Sequence, residues 1–143
     1  MKLHRIVGRA RKCGPSAMAA VTGLPTHDCA ALLREVTGSS QIHGVRQDDL
    51  VAAMALAGWH CERAAHPRSA RPTLAAWLRG HDTFAHPFIL VVRNHYVALG
   101  DGEVADSGWL YRRRPMPVAD APHRRVRVRE TIACRPADSA RRT

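Results

Sequence analysis

The stretch HYVALGDGEVAD, residues 95–106, reads as a β-strand, a tight turn and a returning strand. Tyr96, Val97 and Leu99 are strand formers, and Gly100-Asp101-Gly102 is a strong hairpin-turn signal. With the turn centred on Asp101-Gly102, Asp106 faces Val97 across the hairpin. Side chains alternate faces along a strand, so His95, two residues before Val97, points the same way as Asp106. The imidazole and the carboxylate then sit as diagonal cross-strand neighbours, with Cα atoms roughly 7–8 Å apart and side chains able to meet. A three-residue turn would instead send them to opposite faces. A lone histidine on a strand is more often structural; a carboxylate within reach makes His95 a candidate base and Asp106 the group that orients it.

Upstream of the hairpin, Pro87 precedes Phe88-Ile89-Leu90-Val91-Val92, a run of β-formers expected to continue through Arg93-Asn94 into His95. Earlier still the period is helical. Thr26 reads as an N-cap, Cys29, Leu32, Leu33 and Val36 as an apolar face, and Gly38 as the stop. Leu50, Ala53, Met54 and Leu56 repeat that pattern behind Asp48-Asp49, with Gly58 closing. A short segment from Leu74 to Leu78 follows Pro72-Thr73 and ends at Gly80. Beyond the hairpin, residues 123–132 are expected as a further strand, because Val126 and Val128 alternate with Arg125, Arg127 and Arg129. The organisation is α+β: a helical first half packed on an antiparallel sheet in the second. One domain is expected over residues 1–135, with a disordered basic tail over 136–143.

Lys12-Cys13-Gly14-Pro15-Ser16 precedes the helix formers Ala17 to Ala20. Proline fits the first turn of a helix, where its missing N–H would have had no partner, so a helix is expected to open at Cys13. A thiol placed there faces backbone N–H groups and the positive end of the helix dipole, both of which favour thiolate. Arg11 and Lys12 add positive charge. Local sequence also permits Cys13 to be a small apolar core residue.

Composition bounds the alternatives. The 143 residues suffice for one core. No apolar run reaches the length of a secretory signal core or of a membrane span, so neither export nor membrane insertion is expected. Four cysteines without a CxxC pair suggest reduced thiols and a cytoplasmic setting, that of the host if the chain is phage-encoded. The nine histidines form no HxxxH or zinc-type quartet, so neither a metal nor another cofactor is expected. Net charge is +10, of which +7 falls in residues 110–143, where ten arginines stand against three acidic residues. Arg112, Arg113, Arg114, Arg125, Arg127 and Arg129 form a candidate basic patch for nucleic acid or another polyanion, or else a solvated cationic surface.

Taken together, the Cys-Gly-Pro-Ser helix start, the helices after it, the His-Tyr-Val strand and an acidic residue about ten positions on resemble the papain-like cysteine peptidases. The subgroup most similar is that of bacteriocin-leader peptidases and short bacterial or phage-encoded relatives. The resemblance covers roughly residues 12–109. It implies a papain-like fold in which the nucleophile falls on Cys13, the general base on His95 and the orienting acid on Asp106. Asp106-Ser107-Gly108-Trp109 is also similar to the Asn-Ser-Trp of papain-type enzymes, and it places Trp109 where it could shield the histidine pair. Such peptidases usually carry a glutamine shortly before the nucleophile to hold the oxyanion, and residues 1–12 contain none. The backbone N–H of Cys13 is the first substitute donor and Asn94 a weaker one.

The function implied is amide hydrolysis on a peptide or protein substrate through a Cys-His-Asp triad. Isopeptide cleavage, deamidation or transfer would use the same groups. The alternative is a catalytically weak papain-like scaffold that binds polyanions through its arginines. Seven aromatic residues in the whole chain argue against a base-stacking platform.

Overall fold

The computed structural model describes residues 1–9, 12–42, 44–106 and 112–137, without the side chains of Arg112 and Arg113. Three helices come first: α1 (Cys13–Thr22), α2 (Thr26–Thr37) and α3 (Gln47–Leu56). The strands are β1 (Trp59–Ala65), β2 (Phe88–Val92), β3 (His95–Gly100), β4 (Glu103–Asp106), β5 (Arg112–Pro117) and β6 (Val128–Pro136), with α4 (Leu74–Arg79) between β1 and β2. They form one six-stranded sheet in the order β1-β6-β2-β3-β4-β5, antiparallel at every pairing. The last strand therefore lies between the first two. No helix of the described residues is long and apolar enough to cross a membrane.

Alternation along the central strands builds two cores. Ile89 and Val91 of β2, Tyr96 and Ala98 of β3 and Ala105 of β4 pack against α1, α2 and α3, together with Met18, Leu33 and Met54. Phe88, Leu90, Val92, Val97, Leu99 and Val104 face the other way, against Leu74 and Trp77 of α4. Burial of β2 on both faces explains why its sequence is apolar without a break.

Several elements depart from the sequence expectation. The run from Phe88 to Leu99 is two strands, since Val92 pairs with His95 across a two-residue turn at Arg93-Asn94. Arg93 adopts φ 54°, and an arginine carries no turn signal that would announce this. Thr26 is the first residue of α2, not its cap; it is buried and its N–H bonds Val7 O at 2.8 Å. The strand expected over 123–132 begins later and runs on to Pro136. Ala137 N–H then bonds Gly58 O, so the start of the expected tail extends the sheet, while residues 138–143 lie outside the described residues. Strands β1 and β5 were not anticipated. β1 buries only Cys61 fully, and β5 reads RRRPMP, a sequence with two prolines that an edge strand tolerates.

Candidate active site

The 95–106 hairpin has the expected register. Gly100 pairs with Glu103, Leu99 with Val104 and Ala98 with Ala105. Asp101 (φ 50°) and Gly102 (φ 74°) supply the two positive φ angles that a tight two-residue turn requires. Extending this register sets Asp106 opposite Val97 and diagonal to His95. The side chains meet: His95 Nε2 lies 2.7 Å from Asp106 Oδ1. The Asp106 side chain is fully buried, so its charge depends on such partners.

The same imidazole also hydrogen-bonds the Cys13 thiol. Cys13 opens α1 after an extended Lys12 that provides no side-chain cap. Gly14 lets the helix start approach the 45–46 segment, because a Cβ there would come within 3.0 Å of Val45 Cγ2. Val45 is itself tied to β3, its carbonyl accepting from Tyr96 Oη at 2.5 Å. The thiol thus comes to rest beside the start of β3. Burial pushes the Cys13 thiol up, but a hydrogen bond with His95, the N–H of Tyr96, the His95 charge and its own N–H outweigh it. The net pKa is below the ordinary 9.0. For His95, burial favours the neutral ring, yet hydrogen bonds and charges from Asp106 and Cys13 prevail and raise it to about 9. Opposite shifts on two bonded groups favour a thiolate–imidazolium pair.

A second histidine also approaches the carboxylate. His123 Nε2 lies 3.4 Å from Asp106 Oδ2, and the His123 side chain is only 9% exposed. Burial lowers its pKa, the Asp106 charge opposes this and the His95 charge adds to it, so the net shift is downward. Nothing in the sequence marks His123, which reaches Asp106 from the turn before β6.

Cys13 opens onto a cleft of about 620 Å³ lined by Val45, Arg46, Gln47, His66, Arg71 and Tyr96 among others. Asn94 lies on its rim, in the β2–β3 turn and not in a strand as expected, with Oδ1 accepting from Arg129 at 3.1 Å. Gln47, the first residue of α3, brings an amide to the cleft from an element that sequence reading did not connect with the site. Glu130 also lines it, with its carboxylate held by Arg63.

The expected basic patch divides. Arg125, Arg127 and Arg129 are exposed near the cleft, whereas Arg114 lies beside Lys2 and Arg5 in a separate hollow. The side chains of Arg112 and Arg113, and all of Trp109, lie outside the described residues. The other cysteines are buried, with Cys61 and Cys134 facing each other across β1 and β6 at 3.6 Å between sulfurs. No group of three or more metal-ligating side chains occurs among the described residues.

Cys13 at a helix start thus lies beside a histidine and an acid carried on an antiparallel sheet, and the chain has the fold of papain-like peptidase domains. Three solved structures it is similar to are proteases or peptidase domains of transporters. One is a double glycine motif protease from an AMS/PCAT transporter in complex with the leader peptide, at 15% identity and TM-score 0.58, covering 94% of this chain and 92% of that one. Another is the peptidase domain of Streptococcus ComA, a bifunctional ABC transporter involved in a quorum sensing pathway, at 18% identity and TM-score 0.58, covering 94% and 98%. The peptidase domain of Streptococcus mutans ComA matches at 16% identity and TM-score 0.55, covering 93% and 100%. No protein-family model and no curated protein matches the sequence.

Proposed function

We propose that this chain is a cysteine peptidase in which Cys13 is the nucleophile, His95 the general base and acid, and Asp106 the orienting group. The observation that carries the reading is the 2.7 Å contact of His95 Nε2 with Asp106 Oδ1 on a ring that also hydrogen-bonds the Cys13 thiol. In this reaction the thiolate attacks a peptide carbonyl carbon, and the tetrahedral oxyanion collapses with loss of the amine. His95 protonates that amine as it leaves. The same histidine then takes a proton from water, whose hydroxide attacks the thioester; collapse releases the acid and restores the thiolate–imidazolium pair. Asp106 holds the ring in the tautomer and orientation that both steps need. The N–H of Cys13 is one oxyanion donor, and the amides of Gln47 and Asn94 on the cleft are the side chains able to stand in for the absent glutamine.

The likeness to a double glycine motif protease in complex with a leader peptide supports a peptide substrate that contains a double glycine. Incubation with a Gly-Gly-containing peptide library, read by mass spectrometry, tests this. Cleavage is expected from the wild type and not from Cys13→Ala, and His95→Ala should lose at least about a hundredfold in kcat/KM. Cleavage that persists at wild-type rate in Cys13→Ala would overturn the assignment.

A further inference from the structure

Beside the nucleophile's cleft lies a second hollow, of about 450 Å³, walled by Arg71, Arg93, Arg125, Arg127, Arg129 and Asn94. Its arginines come from three separate places: the chain before α4, the β2–β3 turn, and the approach to and start of β6. Arg71, Arg93, Arg129 and Asn94 also line the cleft of Cys13, so the two hollows share a wall.

Among the described residues these five cations have no anionic partner. Among the described residues no carboxylate lies within 4.0 Å of any of them, while Glu130 and Asp48 nearby are both taken by Arg63. Their hydrogen bonds go to neutral acceptors. Arg127 Nη1 donates to Arg71 O at 3.0 Å, and Arg129 Nη1 to Arg93 O at 3.3 Å and to Asn94 Oδ1. Arg71 Nε is buried with no partner among the described residues. The guanidinium groups of Arg127 and Arg129 are thus held by contacts that leave their charge uncompensated. Five like charges around one hollow repel one another and create a positive potential, which an anionic ligand would relieve.

We infer that this basin binds an acidic segment of the peptide substrate, so that carboxylate side chains near the scissile bond select which peptides are cleaved. The inference rests on the peptidase reading for what occupies the adjoining cleft. Guanidinium forks match carboxylates in bidentate geometry, and the shared wall places them within a few residues of a peptide bond held at Cys13. A nucleic acid fits less well. The hollow is local, has no aromatic lining for base stacking, and is separate from the cations at Arg114, Lys2 and Arg5.

The test uses the full chain carrying Cys13→Ala, so that binding is read without turnover. The probes are synthetic peptides containing Gly-Gly with a Glu-Glu-Glu segment on one side or the other, and twins with Gln-Gln-Gln. Isothermal titration is expected to show one acidic peptide binding about tenfold tighter than its twin, as a few exposed ion pairs would give. That advantage should shrink between about 50 and 200 mM salt. It should also disappear in Arg125→Gln/Arg127→Gln, whose side chains are exposed, and persist in Arg114→Gln. Equal affinity for both twins in both placements would overturn the inference. So would an oligo-dT strand that occupies the same arginines more tightly than any acidic peptide. The two readings fail separately. An arginine-dependent preference in a protein whose wild type cleaves nothing would sustain the basin and sink the peptidase; cleavage by the wild type with equal binding of the twins would do the reverse.

Discussion

At the scale of single residues, Cys13 and the other cysteines differ by environment, not by type. Burial raises Cys29 to about 11, and for Cys134 the neighbouring Cys61 and burial together raise the pKa well above 9.0. Cys13 alone among them has an imidazole and two backbone N–H groups to favour its thiolate. Alkylation by iodoacetamide at neutral pH, located by mass spectrometry, should therefore modify Cys13 in preference to the other three. Its rate should inflect below pH 9.0 and move upward in His95→Ala, where burial acts without the histidine. In the mechanism we propose, hydrolysis additionally needs protonated His95 to release the amine. Its rate should rise as Cys13 ionises and fall as pH passes about 9, where His95 loses its proton. An unchanged alkylation profile in His95→Ala would remove the thiolate–imidazolium pair from the account.

Between elements, the hairpin turn sets the geometry that the histidine uses. A shift of one residue in the β3–β4 register would turn Asp106 away from His95, and Asp101-Gly102 fixes that register. Gly102 has open space where a Cβ would stand, yet its φ is 74°. Gly102→Ala should therefore destabilise by about 1–2 kcal/mol through backbone conformation alone, measured as a lower urea midpoint. The β2–β3 turn is the contrasting case. Its φ of 54° falls on Arg93, so the sequence carries no glycine or aspartate there to mark it, and the two strands read as one. The pairing of β1 with β6 was hidden for another reason: β1 has one fully buried residue, and strand alternation cannot be recognised from a single buried position.

On the scale of the whole molecule, the sheet carries helices on both faces, and the site depends on both layers. The face holding α1 supplies Cys13, and the opposite core contains Val97 and Val104, which share the strand parity of His95 and Asp106. Trp77 anchors that second layer. It is 1% exposed, stacks on His81 with ring centroids 4.1 Å apart, and donates from Nε1 to Thr131 Oγ1 at 2.8 Å. Trp77→Ala would leave a cavity under α4 and remove a buried hydrogen bond, at a cost of about 3–5 kcal/mol. That is a large fraction of the roughly 5–15 kcal/mol holding such a domain together. Thermal unfolding should show a fall of several degrees or more; an unchanged midpoint would mean that α4 contributes little to holding the sheet.

The sequence by itself determined what local backbone physics controls. Glycine and aspartate at a turn define the hairpin, strand parity aligns His95 with Asp106, and proline in a first turn starts a helix at Cys13. These rules act over a few residues and leave their mark in residue type. Only the tertiary structure decided what lies across long loops. The insertion of β6 between β1 and β2, the arrival of His123 at Asp106, the approach of Gln47 to the cleft and the gathering of five arginines beside it all join residues far apart in the chain. No local preference encodes such meetings; they follow from burying both faces of the sheet at once.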